Sequence, residues 1–384
     1  MKNIRVVDLT SVLSGPFCTW LLSTLGADVI KVENPNGDLA RATPPFKDDI
    51  SLYFASLNRN KRSVVLDLKS DEGKQALHKL LATADVFVEN MRPGVRARLG
   101  CSDQDLEQIN PRLIRASISG FGQTGSLSER PAYDIVVQAM SGMMSVNGPL
   151  GGPATRIGFS VGDISAALFT TIGILDRLYQ RDAQGAGPAP TLDVSMLACQ
   201  WVCLENAFAR YLNAGIVAGP IGSRHPSMTP FEPYPTADRD IVIGLGSSKD
   251  WPHFCETIGL PELIRDPRFA GDEARLEHRD MLDDILGGHL KAKSSSHWLS
   301  LMIENGIPCS VIENVESIAN NPVSDEYHAF STVDVPGKGE MRFARNPIAD
   351  PGDVEDAAPI LGQHTAEILS ELGYSASDIE RMTA

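Results

Sequence analysis

Residues 4–33 read IRVVDLTSVLSGPFCTWLLSTLGADVIKVE and contain the first strand–helix–strand unit of the chain. The apolar run over 4–10 is typical of a buried strand, and residues 15–25 predict a helix with a proline in its first turn. A turn at Gly26 leads into a second strand that ends at Glu33. Such a unit predicts two parallel strands joined by a right-handed crossover.

The alternation of strands and helices continues beyond this unit. Strands are predicted over 63–68, 85–89 and 113–119, and helices over 71–82 and 92–109. Alternating elements of this kind favour an open α/β sheet with helices on both faces. The sequence therefore predicts an open, mainly parallel α/β sheet.

The first strand-to-helix turn does not carry a nucleotide-binding motif. Residues 13–16 read LSGP where a dinucleotide-binding fold has GxGxxG, and the chain contains no GxxxxGK[ST] phosphate loop. The predicted class of fold therefore does not imply binding of NAD or ATP.

Composition and charge narrow the class of protein. The chain has 384 residues, of which 42% are hydrophobic and 22% charged, with a net charge of −15. Two domains are expected at this length, and an acidic chain is not expected to bind nucleic acid or anionic membranes over a broad face. The sequence shows no signal-peptide pattern, no apolar run of membrane-spanning length and no CxxC pair for zinc. These features favour a cytoplasmic enzyme without a metal site.

The second half of the chain suggests a linker and a smaller domain. A loop is predicted over 184–190 and a long apolar helix from about Met196 to Ala214, followed by a Gly- and Pro-rich linker over 219–235. A new α/β pattern begins at Asp240. The predicted division is a large domain over 1–218, a linker and small domain over 219–312, and a return to the large domain over 313–384.

Residues 156–181, RIGFSVGDISAALFTTIGILDRLYQR, predict a long helix that begins at Asp163. At an N-cap a carboxylate accepts bonds from free backbone N–H groups, and the helix dipole favours its ionised form. The pattern fits a plain helix cap as well as a charged, fixed aspartate at a site. One face of this helix is predicted to be buried: Ile164, Ala167, Leu168, Thr171, Ile172, Leu175, Leu178 and Tyr179.

Two local motifs suggest ligand binding. Residues 58–63, NRNKRS, place three cations before a strand, which fits a phosphate site or a solvated loop with surface ion pairs. Glu89 and Asn90 end a predicted strand, and Arg96 and Arg98 follow closely. Ligands of open α/β sheets bind at the carboxyl ends of strands, although turn chemistry alone would also account for Asn90.

Several longer motifs follow the opening stretch in a defined order. They are LNRNKRSVVLDLKSDEGK, ADVFVENMRPG, ISGFGQTG, PAYDIVVQAMSGMMSVNG, RIGFSVGDISAALFTTIGIL, RHPSMTPFEPY, DPRFAG and LGQHTAEIL. Over nearly its whole length the chain resembles the class III CoA-transferases, the family of formyl-CoA transferase and carnitine CoA-transferase. The resemblance implies a large Rossmann-like domain built from both chain ends, a smaller inserted α/β domain, and an interlocked homodimer.

The resemblance also implies site residues. The catalytic aspartate of the family falls on Asp163, and Leu13 stands where formyl-CoA transferases carry glutamine, which argues against specificity for formyl-CoA or oxalate. At one position Lys61 would serve as well as Arg62, and at another several relatives carry phenylalanine in place of Met91. The implied CoA-contacting positions are Val12, Arg62, Asn90, Met91, Arg98 and Tyr133.

The implied activity moves CoA from an acyl-CoA donor to a carboxylic acid acceptor through an aspartyl mixed anhydride and an aspartyl-CoA thioester. CoA is then a substrate, and no cofactor is bound permanently. Backbone N–H groups near the start of the helix are candidates for stabilising the oxyanions. The glycine-rich loop over 244–246 is a candidate cover for the intermediates.

Two other activities stay open. A sister branch, similar to α-methylacyl-CoA racemase, abstracts a proton with the histidine of a GHD motif. Here that motif reads Ala132-Tyr133-Asp134, so one base of a two-base racemase is missing and transfer is favoured. A CoA-binding scaffold without catalysis is the third hypothesis.

Overall fold

The computed structural model describes residues 1–185, 187 and 190–383. Of the predicted loop over 184–190, positions 186, 188 and 189 lie outside the described residues. The chain forms two compact units. The first consists of Met1–Met144, Arg156–Val217 and Ser324–Ala384, and the second of Ser145–Thr155 and Ala218–Val323. The first unit thus contains both ends of the chain, while residues 145–155 and 313–323, which the predicted bounds place in the large domain, belong to the second.

The strands of the described residues are, in order, β1 Arg5–Leu9, β2 Asp28–Glu33, β3 Phe46–Lys47, β4 Ile50–Ser51, β5 Lys61–Val65, β6 Val86–Glu89, β7 Ile114–Ser119, β8 Leu192–Ser195, β9 Phe231–Tyr234, β10 Ile241–Gly244, β11 Cys309–Val311, β12 Phe330–Val335 and β13 Gly339–Ala344.

The helices are α1 Ser14–Thr24, α2 Leu52–Asn58, α3 Asp71–Ala82, α4 Val95–Arg98, α5 Asp103–Ile109, α6 Asp134–Ser141, α7 Met143–Val146, α8 Val161–Ala183, α9 Met196–Cys203, α10 Glu205–Ala214, α11 Trp251–Ile258, α12 Asp272–Glu277, α13 Arg279–Leu290, α14 Ser295–Glu304, α15 Val315–Ala319, α16 Pro322–Glu326, α17 Thr365–Glu371 and α18 Ala376–Thr383. Short 3₁₀ turns cover Leu39–Ala42, Ser248–Asp250 and Pro261–Ile264.

A six-stranded sheet organises the first unit. Its strand order is β5-β2-β1-β6-β7-β8, and every neighbouring pair is parallel. One face is covered by apolar residues of α1, α6, α8 and α9, and the other by α3, α5 and α17. Both faces of a parallel sheet must be covered by helices because its strands are apolar on both sides. The predicted α/β sheet with helices on both faces is confirmed.

The order of the strands reverses between β1 and β6. The chain adds β2 and β5 on one side of β1, and then β6, β7 and β8 on the other. Loops that leave the carboxyl ends of β1 and β6 diverge at this point and open a crevice, which is where open α/β sheets bind ligands. The residues that follow β1 and β6 are therefore the first place to look for a site.

The second unit has its own sheet and core. Strands β11, β10 and β9 form an antiparallel sheet in that order. Its core includes Trp251, Phe254 and Trp298, all nearly inaccessible to solvent. The pattern that begins at Asp240 thus folds as a separate body, with antiparallel strands.

The helices predicted over 92–109 are α4 and α5. The single helix predicted from Met196 to Ala214 is divided into α9 and α10 at Leu204, and the β12–β13 hairpin was not predicted. The helix error arises because the apolar periodicity continues through the irregular turn at Leu204.

Helix α8 buries a narrower face than predicted. Its buried residues are mostly small, such as Ala166 and Ala167, and include Ile174 and Leu178. By contrast Leu168, Ile172, Leu175 and Tyr179 are exposed, so the predicted buried face is wrong for these four residues. The helix lies flat on the sheet with its small residues inward, and its larger apolar side chains therefore project outward.

Within the described part of the chain, no helix combines the length and the apolar content needed to cross a bilayer.

Candidate active site

Asp163 lies in the first turn of α8, not at its cap. The helix begins at Val161, and Ser160 precedes it without a side-chain capping bond. The N-cap prediction is therefore wrong, because the N-cap is Ser160, three residues before Asp163. As the third helical residue, Asp163 still lies in the first turn, where the positive end of the helix dipole acts.

The acidity of Asp163 differs from the expectation of a fully ionised carboxylate. Burial and the neighbouring carboxylate of Asp134 raise its pKa to about 7, and a hydrogen bond with Ser14 acts in the opposite direction. A like charge in a partly dry site disfavours ionisation more than the helix end favours it. At neutral pH both protonation states of Asp163 are therefore populated.

Two residues of α6 hold the segment that leads to Asp163. Asp134 Oδ1 accepts a hydrogen bond of 2.8 Å from the backbone N–H of Gly162. One turn further along α6, Gln138 Oε1 accepts one of 2.9 Å from the backbone N–H of Ile157. Gln138 Nε2 donates to Asp134 Oδ2 at 2.6 Å, which ties the two supports together. The backbone before Asp163 is thus fixed from α6.

Gly162 is required at its position by close packing. A Cβ atom there would lie 2.2 Å from Nε2 of the fully buried Gln200 and 2.9 Å from Asp134 Oδ1. Both distances are well inside van der Waals contact, so any side chain would displace the support of the segment. The glycine lets α6 and α9 approach the start of α8 closely.

The loop after β1 is fixed in a strained conformation at the switch point. Val12 has a φ of 70°, which is unfavourable for a β-branched residue. Asp38 Oδ1 accepts hydrogen bonds from Val12 N at 3.1 Å and Ser11 Oγ at 2.8 Å. Asn90, at the end of β6, accepts from Ser11 N at 2.9 Å and donates to Ser11 O at 2.8 Å. Strain held by several partners is frequent where a ligand is bound.

A buried cation supports this loop from beneath. Lys31 Nζ lies 2.8 Å from Asp38 Oδ2, and both side chains are almost completely buried. Burial alone would raise the pKa of Asp38, but Lys31 and the hydrogen bonds outweigh it and lower the pKa. The carboxylate of Asp38 is therefore ionised and available as an acceptor for the loop.

Ser14 connects the switch point with Asp163. Its hydroxyl accepts a hydrogen bond of 3.4 Å from Asn90 Nδ2, and its side chain is close enough to Asp163 to lower the pKa of that carboxyl. Ser14 is the first residue of α1 and is buried. Three residues that the sequence singles out, Val12, Asn90 and Asp163, therefore lie in one neighbourhood.

Tyr53 of α2 faces the same neighbourhood. Burial, together with the carboxylates of Asp163 and Asp38, raises its pKa to about 12. The phenol therefore keeps its proton throughout the neutral range and can donate a hydrogen bond to an oxyanion. The residue does not stand out in the sequence, since a tyrosine in a short helix is usually a packing residue.

The remaining predicted positions differ in placement. Met91 follows β6, and its backbone N–H donates to Glu89 Oε2 at 2.7 Å. Arg98 ends α4, is exposed, and has no ion pair within the described residues. Tyr133 precedes α6 and is 79% exposed. Arg98 and Tyr133 are therefore accessible to a ligand from the solvent.

Arg62 lies at the opposite end of the sheet from Val12 and Asn90. It is the second residue of strand β5, and its guanidinium donates to Asp28 at 2.9 and 2.7 Å and to Glu371 at 2.6 Å. The alternative, Lys61, is fully buried 3.0 Å from Asp8. The structure does not bring Arg62 together with the switch point, whereas Lys61 Nζ donates to the carbonyl of Pro16 at 3.0 Å, close to the loop after β1, but is buried there.

The phosphate hypothesis for residues 58–63 is not supported by these contacts. Arg59, the third cation of the segment, is buried against Glu355, so each of the three cations already has a carboxylate partner. Arg59 pairs with the C-terminal segment, Lys61 with β1, and Arg62 with β2 and α17. The interpretation as a loop of solvated surface ion pairs is also wrong for Arg59 and Lys61, which are buried.

Comparisons with known proteins agree on one family. The model of CoA-transferase family III matches residues 1–365. An acetyl-CoA:oxalate CoA-transferase from Acetobacter aceti is 43% identical over 323 residues, which cover 83% of this chain and 82% of that protein. A succinyl-CoA:glutarate CoA-transferase from Mus musculus is 36% identical over 393 residues, which cover 100% and 88%. The crystal structure of a CAIB/BAIF family protein from Brucella suis matches with a TM-score of 0.84 and 31% identity, covering 97% of this chain and 98% of that one.

A parallel sheet with a network of polar side chains at its switch point thus coincides with a family match over most of the chain. The chain belongs to CoA-transferase family III. It is a CoA-transferase, an enzyme whose substrates are CoA thioesters and acids.

Proposed function

We propose that this protein transfers CoA from an acyl-CoA donor to a carboxylic acid through covalent intermediates on Asp163. One observation carries the proposal: Asp163 is joined through Ser14 to Asn90 at the switch point of the sheet. A CoA thioester bound along this crevice would present its carbonyl carbon to that carboxylate. A raised pKa also makes the ionised carboxylate a stronger nucleophile.

The proposed reaction proceeds in two symmetrical halves. The Asp163 carboxylate attacks the thioester carbon, and the C–S bond breaks to give a mixed anhydride and CoA thiolate. The thiolate attacks the Asp163 carbonyl, which releases the donor acid and leaves CoA as a thioester on Asp163. In the second half, the acceptor carboxylate attacks the aspartyl-CoA thioester, which releases CoA thiolate and gives a mixed anhydride of Asp163 and the acceptor. The thiolate then attacks the acceptor carbonyl of this anhydride, which forms the acceptor acyl-CoA and frees the Asp163 carboxylate. No atom is oxidised or reduced, and water must be excluded throughout.

Polar groups around Asp163 suit the charge that develops. Each addition places a negative charge on a carbonyl oxygen, and donors aimed at that oxygen lower the barrier. Tyr53 is protonated at neutral pH, and the positive end of the dipole of α8 lies at Asp163. In our proposal these groups stabilise the oxyanions, and Val12, Asn90, Met91, Arg98 and Tyr133 contact CoA. We leave Arg62 out of this set.

The acceptor is proposed to be a dicarboxylic acid. The relatives described above are named for oxalate and glutarate, both dicarboxylic acids. Leu13 in place of glutamine argued against oxalate, but the similarity to an oxalate enzyme keeps oxalate among the acceptors to be tested.

Exchange of CoA between acids is the direct test of the function. The purified protein, incubated with acetyl-CoA or succinyl-CoA and either glutarate or oxalate, is expected to form the acceptor acyl-CoA without accumulating free CoA. Mass spectrometry of the CoA esters measures both. Deuterium entering the α-carbon without an acceptor would instead indicate a racemase. Binding of acyl-CoA without any exchange would indicate a scaffold.

A homodimer is also proposed, because α8, α9 and α10 expose a large apolar surface. Ile172 is 62% and Leu212 is 73% exposed, and Trp201 and Tyr211 are about half exposed. Monomeric proteins rarely leave contiguous apolar patches of this kind in water. We propose that a second copy of the chain covers this surface, because the resemblance implies a homodimer. The interlocked arrangement stays a prediction of the resemblance.

Charged substitutions on this surface are expected to prevent association. Ile172→Asp and Leu168→Asp should convert a dimer to monomers or aggregates at micromolar concentration, because a carboxylate in an apolar interface is strongly unfavourable. Sedimentation velocity measures the change. Ile348→Asp, at an exposed apolar position outside α8–α10, should leave the dimer intact. A wild-type protein that sediments as a monomer would contradict the proposal.

A further inference from the structure

The surroundings of Asp163 are acidic, although the proposed substrates are anions. The carboxylates of Asp134 and Asp38 both act on side chains of the site. A dicarboxylic substrate has one carboxylate that reacts and a second that does not. The second would bring another negative charge close to these groups, which is unfavourable unless a cation receives it.

Most cations of this neighbourhood are already engaged. Lys31 is fully buried against Asp38. Arg41 donates to both oxygens of Glu33 at 2.7 Å and also to the carbonyl of Pro359. Turning either side chain towards a substrate would leave a buried carboxylate without its partner, which is costly.

Arg156 is in a different situation. Its Nη2 lies 3.8 Å from Asp134 Oδ2, too far for a hydrogen bond, and its side chain is 42% exposed. Within the described residues the guanidinium donates no hydrogen bond. Asp134 Oδ2 receives its hydrogen bond from Gln138 instead. Arg156 is therefore attracted to the site while its donors stay available to a ligand.

Arg156 and Asp163 flank one rigid segment. Gln138 holds the backbone N–H of Ile157, and Asp134 holds that of Gly162, so both ends of the segment are fixed from α6. The guanidinium lies beside one oxygen of Asp134, and the segment leading to Asp163 beside the other. The backbone next to Arg156 and the backbone next to Asp163 are therefore held by the same helix, which fixes where the cation and the carboxylate begin.

We propose that Arg156 binds the distal carboxylate of a dicarboxylic substrate while the other carboxylate reacts at Asp163. This rests on the proposed function. The planar guanidinium can pair with a carboxylate through two parallel hydrogen bonds, which a lysine cannot reproduce. Arg156 thus selects dicarboxylic over monocarboxylic acids and takes no part in bond making.

The test compares two acceptors of equal chain length, glutarate and pentanoate, with acetyl-CoA as donor so that only the acceptor carries a distal carboxylate. In Arg156→Gln the ratio of kcat/KM for glutarate to that for pentanoate is expected to fall about 100-fold, since a bond to a charged group is lost. Arg156→Lys should restore part of the ratio. Arg177→Gln, near the far end of α8, is a matched control and should keep the wild-type ratio.

The outcomes separate this inference from the proposed function. A ratio that is unchanged in Arg156→Gln, or equal losses for both acceptors in a variant that still binds CoA, would overturn the role of Arg156. Failure of the proposed function would show differently, because the wild-type protein would transfer CoA to neither acceptor. A change that appears only in KM for glutarate would support binding of the distal carboxylate.

Discussion

Asparagine in place of Asp163 is expected to lower the rate of CoA transfer by roughly 10⁴-fold or more, the loss typical when a covalent nucleophile is removed. The amide has nearly the same size but cannot form the anhydride or the thioester. Binding of CoA should change little, because Asp163 is not among the proposed CoA contacts. Those contacts lie after β1 (Val12), after β6 (Asn90, Met91), in α4 (Arg98) and before α6 (Tyr133). Transfer is measured by mass spectrometry and binding by calorimetry.

A matched control lies on the same helix. Asp176 of α8 is exposed and contacts Gln180, so Asp176→Asn should transfer CoA at the wild-type rate. If the Asp163→Asn variant transfers CoA at a rate within about tenfold of the wild-type rate, the nucleophile role of Asp163 is rejected. Loss of CoA binding in that variant would show that Asp163 is needed to maintain the structure of the binding site.

The same substitution is expected to stabilise the folded protein above neutral pH. Burial and Asp134 raise the pKa of Asp163 to about 7 in the folded state, while an unfolded aspartate has its ordinary value near 3.8. Folding therefore favours the protonated form, and this favourable contribution is lost as the pH rises through about 7. Above that pH, the wild-type protein must hold an ionised Asp163 beside Asp134, at a cost of up to roughly 4 kcal/mol.

Chemical unfolding at two pH values tests this expectation. At pH 8.5 Asp163→Asn should have the larger free energy of unfolding, by a few kcal/mol, and near pH 4 the two proteins should be almost equal. Asp176→Asn should show no such pH-dependent difference. If Asp163→Asn is destabilised equally at both pH values, Asp163 is an ordinary helix residue and its pKa is not raised in the folded protein.

Much of the fold was predictable from local pattern. The alternation of strands and helices from β1 to β7 can be recognised in the sequence because buried parallel strands are short apolar runs. Crossover helices such as α3 can be recognised because they begin with a capping residue and continue with helical apolar periodicity. The limits of the pattern are visible in α8. Its larger apolar residues, Leu168 and Ile172 among them, were assigned to the core although the helix packs through its small residues. Periodicity locates an apolar stripe but does not say what covers it.

The site was only partly predictable. Asp163 stood out through the glycine before it and through the resemblance, and Asn90 through its place at the end of a strand. Ser14, Tyr53 and Asp38 belong to the site through contacts with residues that are far away in sequence. Such contacts cannot be predicted from the local sequence pattern. Arg62 shows a different limit of local pattern, because a basic run before a strand is as well suited to ion pairs within the protein as to phosphate.

The most direct test of the central claim is to trap CoA on the protein. After incubation with an acyl-CoA and no acceptor, intact and peptide mass spectrometry should find CoA attached at Asp163, and hydroxylamine should convert that thioester to a hydroxamate at the same residue. Asp163→Asn should carry no adduct. A wild-type protein that exchanges CoA between acids but never carries it covalently, or carries it on another residue, would contradict the account.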